Sequence, residues 1–175
     1  MTMTRLILFS VLVTSCSRTD NEKFMFSDQA DKESVWIVLS EYHLDSIPPD
    51  IGRLKKAKRL FISRESGWTI YPPLSTIPTN NFQGKQLPDE LTGLSNLTRL
   101  NLIGLDLERL PADFGELKNL DSLDLSFNSL VIRNEIAKLK QLERLRFLGI
   151  AGNIIDSTVV HELERENPSL KVKWD

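Results

Sequence analysis

The chain has 175 residues, with 22 Lys and Arg against 24 Asp and Glu, and its formal net charge is −2. Because this balance leaves no basic excess to neutralise phosphates, we do not expect a nucleic-acid partner. One Cys rules out an internal disulfide, and one Cys with two His cannot form a zinc site of the usual kind. Hydrophobic residues make up 41% of the chain, which is enough for one packed domain.

A short apolar run lies close to the N-terminus. Residues 6–13 (LILFSVLV) follow Arg5 and precede two small residues, Thr14 and Ser15. Eight residues cannot cross a bilayer core, which takes about 20 helical residues. A basic start, a short apolar middle and small residues at the end are typical of a secretory signal. The alternative is a frayed N-terminal helix of a cytosolic protein.

The end of this run is Val13-Thr14-Ser15-Cys16, which contains the single Cys of the chain. It resembles the lipobox of bacterial lipoproteins. The resemblance implies a signal peptide over residues 1–15 and diacylglycerol on Cys16, which would become the mature N-terminus. Several acyl chains on one residue give durable anchoring to a membrane. The alternative is an ordinary signal with an incidental Cys.

The segment after Cys16 is mainly polar and charged. Residues 16–33 contain only one apolar run, at residues 24–26, so we predict a tether between the lipid and a folded domain. The residue after Cys16 is Ser17 rather than Asp. By the sorting rule of bacterial lipoproteins, this implies a lipid-anchored protein of the cell envelope, at the outer membrane, in either leaflet.

A leucine repeat follows. Of the 28 Leu residues, 18 lie between Leu87 and Leu148. The spacing L-x-x-L-x-L fits five registers, whose successive starts are 23, 40, 23 and 25 residues apart: Ser34, Ala57, Leu97, Leu120 and Leu145. The interval of 40 is one 23-residue unit with an insertion, which we place at residues 66–86. This aromatic and Pro-rich loop could wall a binding face or could be an ordinary surface loop.

Three turns continue in a similar way, with an apolar residue followed by Pro48, Pro88 or Pro111. Over residues 34–155 the pattern resembles the 23-residue subtype of the leucine-rich-repeat family. The resemblance implies an α/β solenoid with a short, curved parallel sheet of about five strands. Units of this size stack because none can bury its own apolar face. The recurring Pro argues against the alternative, a coiled coil or helical bundle.

The family places an inward Asn nine positions into each unit, and this chain departs from that pattern. The equivalent positions hold Tyr42, Glu65, Leu105, Asn128 and Asn153. We therefore expect a less regular N-terminal half. At the other end, residues 156–175 read as a cap, because Asp156 can begin a helix and residues 170–174 alternate between apolar and basic. The leucine-rich-repeat domain is thus predicted over residues 34–175.

No catalytic motif, phosphate loop or metal-ligand pair is present in the sequence, so we expect no enzyme, no cofactor and no metal. Outward positions of the strands then offer the best candidate site, a concave face rich in aromatic and Arg side chains, which are enriched at binding hot spots. The alternative is that the aromatic residues pack beneath a cap or the inserted loop. The candidate residues are Trp36, Arg59, Phe61, Arg64, Arg99, Asn101, Asp124 and Phe127.

These features predict a membrane-anchored, non-catalytic protein that binds another protein, an inference that depends on the family resemblance because a fold alone does not define function. The partner itself is not named by the sequence. A structural envelope component without a discrete ligand is the alternative. An enzyme or a carbohydrate-acting protein has the least support.

Overall fold

A computed structural model describes residues 24–64 and 85–175 of the chain. The described part holds six strands and two α-helices, together with short 3-10 helices. The strands are β1 (Ser34–Val38), β2 (Arg59–Ser63), β3 (Arg99–Leu102), β4 (Ser122–Asp124), β5 (Phe147–Gly149) and β6 (Lys171–Lys173). The α-helices are α1 (Ile132–Lys140) and α2 (Ser157–Glu166).

The six strands form one parallel sheet in the order β1-β2-β3-β4-β5-β6, so each strand pairs with its neighbours along the chain. Inward side chains stack in register from one strand to the next. Leu60, Leu100, Leu123 and Leu148 are successive partners, and all four are 0% exposed. The outward side chains between them lie on the opposite, concave face of the sheet. The architecture is the predicted leucine-rich-repeat solenoid.

The convex side changes character along the solenoid. In the first repeats it carries 3-10 helices that begin directly after the predicted turn prolines, where a fixed φ and a missing N–H cost nothing. These helices are Pro49–Arg53, Asp89–Gly93 and Ala112–Glu116. The later repeats carry α1 and α2 instead. In α1, the Glu135 carboxylate is buried and accepts hydrogen bonds from Leu110 N and Lys138 Nζ, which fastens the helix to the preceding turn.

The two Asn residues of the repeat pattern lie where the resemblance implies. Asn128 is 6% exposed, and its Oδ1 accepts from the backbone N–H groups of Leu105 and Leu107. Its Nδ2 donates to the carbonyls of Leu102 and Leu125. Asn153 makes similar bonds one repeat later, accepting from Leu130 N and donating to Leu125 O and Ile150 O. Both amides thus bond backbone groups of neighbouring turns that would otherwise be buried unpaired.

The structure corrects the register of the first repeat. Trp36 pairs with Phe61, and Ser34 with Arg59, whereas the sequence alignment places Trp36 opposite Arg59. The first repeat therefore begins two residues earlier than predicted, at residue 32. A strand has a side-chain period of two, so a shift of two residues keeps every apolar side chain inward. The repeat spacing predicts that Leu39 is a strand residue, but this buried residue begins a 3-10 helix, Leu39–Tyr42.

The structure also corrects the extent of the predicted tether. Phe26 is 0% exposed and packs edge-to-face on Tyr42, with ring centroids 5.0 Å apart. The Arg53 guanidinium lies over the Phe24 ring, and Met25 N donates to Asp50 Oδ2. Residues 24–33 therefore belong to the folded unit, where they cover the N-terminal end of the core. A solenoid needs such a cap because its first repeat has no preceding neighbour.

Several predicted features lie outside the described residues. These are the signal peptide over residues 1–15, Cys16 with the following residues up to 23, and positions 66–84 of the inserted loop. The last two residues of the predicted loop are part of the solenoid, because Gln86 pairs with Arg109 in a parallel bridge. Lys85 Nζ lies 2.5 Å from Glu108 Oε1 in the following turn.

The predicted C-terminal cap is confirmed. The Asp156 side chain accepts from Thr158 N and begins α2, and β6 joins the sheet beside β5. Asp156 also accepts from Arg133 Nη2 at 2.5 Å, which joins the cap to α1. The Arg133 side chain, with the hydroxyl and backbone N–H of Thr158, lowers the pKa of Asp156 to about 2.

This lowered pKa gives a pH prediction. A carboxyl whose folded pKa lies below its unfolded value stabilises the fold above the unfolded pKa, and the contribution is lost as pH falls toward the folded pKa. For Asp156, this contribution to stability should be lost as pH falls from about 4 to about 2. The pKa itself can be measured by carbon-detected NMR, in which we expect the carboxyl carbon of Asp156 to titrate near pH 2. Arg133→Gln should raise the midpoint toward the ordinary value, whereas Arg165→Gln, with the same change of charge, should not. An unchanged midpoint in Arg133→Gln would contradict this assignment.

Candidate functional site

The outward side chains of the strands form two rows across the concave face. One row contains Ser34, Arg59, Arg99, Ser122, Phe147 and Lys171. The other contains Trp36, Phe61, Asn101, Asp124, Gly149 and Lys173. Six of the eight candidate residues lie in these rows, four of them on neighbouring strands at the N-terminal end. We call Trp36, Arg59, Phe61 and Arg99 the aromatic–arginine patch.

The aromatic half of this patch is a stacked pair. The rings of Trp36 and Phe61 are nearly parallel, at 9°, with centroids 4.1 Å apart. Trp36 is 54% exposed, so neither a cap nor another part of the described chain buries it, and Phe61 is partly buried beside it. This stacking restrains both rings in the unbound protein. A rigid aromatic surface loses little conformational entropy when it is covered, which favours its use as a contact.

The cationic half of the patch is a pair of Arg residues. Arg59 and Arg99 are register partners on β2 and β3, and both are exposed. Arg59 Nε donates to Ser34 Oγ at 2.7 Å, which orients its guanidinium on the sheet. Among the described residues, neither Arg forms an ion pair. Like charges directly opposite each other on a sheet are destabilising, so this pair has a local cost.

Other charged residues on neighbouring repeats form pairs of opposite charge. Lys58 Nζ lies 2.7 Å from Glu33 Oε1, and this contact lowers the pKa of Glu33. Lys140 Nζ lies 2.5 Å from Glu162 Oε1, and the carboxylates around it raise the pKa of Lys140. In these places a cation of one repeat faces a carboxylate of an adjoining repeat. The arginine pair on the concave face is an exception to that arrangement.

Three more candidate residues lie toward the C-terminal side of the face. Asn101 and Asp124 continue the row of Trp36 and Phe61. The Asp124 carboxylate lies over Gly149, where a Cβ would come within 2.5 Å of its Oδ1. The Phe127 ring lies over Gly152 in the same way, with 2.7 Å from such a Cβ to its Cδ1. The two glycines therefore leave the space that these side chains occupy.

Phe127 has an unusual backbone conformation. Its φ is 58°, in the left-handed region, and the corresponding positions in the adjoining repeats are Gly104 and Gly152, with φ of 67° and 72°. A bulky residue in this region costs about 1–3 kcal/mol, whereas Gly does not. The chain thus holds an aromatic side chain beside the concave face at a position where its neighbours have the less strained residue.

The sequence does not predict the place of Ser34 in the row of Arg59, nor the stacking of Trp36 on Phe61. Ser34 was not a candidate, because the shifted register placed Trp36 in its row. The stacking of Trp36 on Phe61 was missed for the same reason. Arg64, a predicted site residue, is partly buried after the end of β2, and its carbonyl accepts from Ser40 N at 3.0 Å. It lies outside the two rows.

Other parts of the described chain offer less to a ligand. A cavity of about 320 Å³ lies between the turns at Leu87 and Leu110, away from the strands. Lys138 lines it, but its Nζ already donates to Glu135 and to the Leu110 carbonyl. Within residues 24–64 and 85–175, no cluster of His, Cys, Asp and Glu could hold a metal ion. In the same residues, no helix has the length and apolar character needed to span a bilayer.

Several known proteins are similar to this chain over part of their length. No family model matches the chain. The chain is 35% identical over 130 residues to the protein flightless-1 homolog of Caenorhabditis elegans, covering 74% of this chain and 9% of that protein. It is 40% identical over 115 residues to the human volume-regulated anion channel subunit LRRC8A, covering 60% of this chain and 14% of the relative. A uridine 5′-monophosphate transferase of Xanthomonas campestris is 27% identical over 109 residues, covering 62% of this chain and 17% of the enzyme. The chain spans less than a fifth of each of these relatives.

Solved structures are also similar. A leucine-rich-repeat protein of Leptospira interrogans has a TM-score of 0.48 and 23% identity, covering 74% of this chain and 34% of that one. Internalin C2 of Listeria monocytogenes has a TM-score of 0.43 and 22% identity, covering 73% of this chain and 45% of that one.

Proposed function

We propose that this protein is a lipid-anchored, non-catalytic protein of the bacterial cell envelope that binds another protein through the aromatic–arginine patch. The observation that carries the proposal is the exposed Trp36–Phe61 stack beside the registered pair Arg59 and Arg99. Trp, Tyr and Arg are the residue types that dominate binding energy at protein interfaces. Leucine-rich-repeat proteins generally mediate protein–protein interactions, which agrees with this use of the concave face.

The absence of catalysis in this proposal is based on the chemistry of the face. Its side chains can stack, donate hydrogen bonds and attract anions, but they do not include a nucleophile positioned by a base. His43 is exposed on a turn of the first repeat, and His161 is exposed on α2 at the far end of the solenoid. The uridine 5′-monophosphate transferase aligns with this chain over only 17% of its own length.

Photo-crosslinking in the native host tests the binding surface. We expect p-benzoylphenylalanine in place of Phe61 to give one discrete crosslinked protein, because this position lies in the patch. The same group in place of exposed Lys118, outside the strands, should give none. Trp36→Ala should remove the crosslink while the melting temperature stays close to that of the unaltered protein. Equal crosslinking at both positions, or none at Phe61, would contradict the proposal.

The membrane anchor is proposed from the lipobox-like sequence at Val13-Thr14-Ser15-Cys16, and Ser17 supports the outer membrane as its location. Cys16→Ser removes the thiol that would carry the lipid. We expect this variant to incorporate no labelled palmitate and to leave the membrane fraction, while the unaltered protein does both. The signal for secretion would still be present, so the variant should remain in the envelope compartment. Palmitate labelling of Cys16→Ser would refute the anchor.

A further inference from the structure

The arginine pair of the aromatic–arginine patch suggests the chemistry of the partner. Arg59 and Arg99 are register partners on the adjacent strands β2 and β3, with backbones about 4.8 Å apart. Arg59 Nε donates to Ser34 Oγ on β1, so the Nη groups of Arg59 are the ones considered for a ligand. A carboxylate placed between two guanidinium groups relieves their repulsion and can accept charge-assisted hydrogen bonds from both. The chain as a whole has a formal net charge of −2, so the positive charge of this row is local and not a general property of the surface.

The second row, with Trp36 and Phe61, would bind an apolar side chain of the partner at a fixed distance from the arginine pair. Arg59 and Phe61 are two residues apart on β2 and point to the same face. Their spacing along the strand is about 6.6 Å, which equals the spacing of side chains at positions i and i+2 of another extended chain. An extended segment lying along β2 would therefore present one side chain to the arginine pair and the next same-side residue to the Trp36–Phe61 stack.

Asp124 restricts where a negative charge can be accepted. It continues the row of Trp36 and Phe61, one strand beyond Asn101. An acidic side chain in that row would approach Asp124, whereas one in the row of Arg59 and Arg99 would meet Ser122 at the equivalent place. The two rows thus differ in charge, and this difference sets the order in which acidic and apolar side chains can be accommodated.

We infer that the partner presents an extended segment in which an acidic residue lies two positions from an aromatic or large aliphatic residue. This inference rests on the proposed function and specifies what the patch recognises. The carboxylate binds between Arg59 and Arg99, and the apolar side chain packs against the Trp36–Phe61 stack. Electrostatic attraction provides selection against basic segments, and the stack provides contact area.

A defined peptide tests this. The probe is a fluorescein-labelled heptapeptide, Ser-Glu-Ser-Phe-Ser-Glu-Ser, with capped ends, titrated with the full chain in detergent and followed by anisotropy. We expect saturable binding that weakens as salt rises from about 0.05 M to about 0.5 M. The matched peptides with Gln or Lys in place of Glu should bind at least about tenfold more weakly, and so should the peptide with Ser in place of Phe.

Protein variants assign the binding to the patch. Arg59→Gln and Arg99→Gln should each weaken binding of the Glu peptide about tenfold, with unchanged circular dichroism melts, because both side chains are exposed. Arg165→Gln, the same change on α2, should have no effect. Equal binding of the Glu and Gln peptides, or equal binding by all three variants, would overturn the inference.

The two proposals can fail separately. A crosslinked protein at Phe61 whose capture does not change with salt or with Arg99→Gln would leave the proposed function intact and overturn the acidic segment. Loss of both the crosslink and peptide binding would overturn both. Peptide binding that needs Arg59 and Arg99 would support the acidic segment even before the natural partner is identified.

Discussion

Asn128→Ala should destabilise the protein by about 3 kcal/mol or more, because it removes the hydrogen bonds of the amide to Leu105 N, Leu107 N and Leu102 O. The fourth group, the Leu125 carbonyl, keeps its bond from Asn153 Nδ2. The Asn128 amide bonds two N–H groups and two carbonyls in the buried turns of neighbouring repeats. Urea unfolding monitored by circular dichroism measures the loss. Asn153→Ala should cost less, about 1–2 kcal/mol, since Asn153 is only partly buried and water can replace part of its bonding.

Two further variants sharpen this test. Asn128→Asp keeps the acceptor oxygens for Leu105 N and Leu107 N but places a carboxylate near the Leu102 and Leu125 carbonyls, so it should also destabilise the protein. Asn101→Ala, on the concave face, should change the free energy of unfolding by no more than about 0.5 kcal/mol. Similar values for Asn128→Ala and Asn101→Ala would contradict the proposed structural role of the buried amide.

Phe26→Ala should destabilise the protein by about 3–5 kcal/mol, the usual loss for a fully buried aromatic side chain. The ring is 0% exposed and packs against both Phe24 and Tyr42. Chemical denaturation again gives the value. The neighbouring substitution Met25→Ala is a matched control, because Met25 is 41% exposed and its hydrogen bond to Asp50 is made by the backbone. We expect its effect to be within about 0.5 kcal/mol.

A truncation tests the same feature at the level of the domain boundary. A chain that begins at Phe24 should keep the melting temperature of the full chain, and one that begins at Ser34 should lose much of it. Identical melting of the two truncated chains would restore residues 24–33 to the tether predicted from the sequence.

The inward leucines show how far the sequence alone predicts this fold. Leu100 and Leu123 belong to units of constant length. The constant spacing predicts both that their side chains point inward and that the two residues are partners on neighbouring strands. The first repeat has no preceding unit to set its start. Because a shift of two residues preserves the alternation, the sequence could not separate the pairing of Trp36 with Arg59 from its pairing with Phe61. The aromatic stack depends on that register and so required the structure.

The burial of the N-terminal cap and of Glu135 could not be predicted from a pattern in the sequence. Phe24 and Phe26 lie in a short apolar run within a polar segment, and a run of this length has no periodicity that distinguishes a cap from a tether. Glu135 is charged, and a carboxylate is rarely fully buried unless it is paired, yet this one is 3% exposed and accepts from Leu110 N. In both cases burial is decided by tertiary neighbours from distant positions in the chain.

The change from 3-10 helices to α-helices on the convex side has a consequence for the shape of the binding face. Neighbouring strands are about 4.8 Å apart, whereas packed α-helices need about 8–10 Å between their axes. Repeats backed by α1 and α2 must therefore fan apart at the back and bend the sheet more strongly. Repeats backed by the narrower 3-10 helices can stack more evenly. We therefore expect the N-terminal strands, with Trp36 and Arg59, to be less curved than the C-terminal strands, which would suit a straight extended segment.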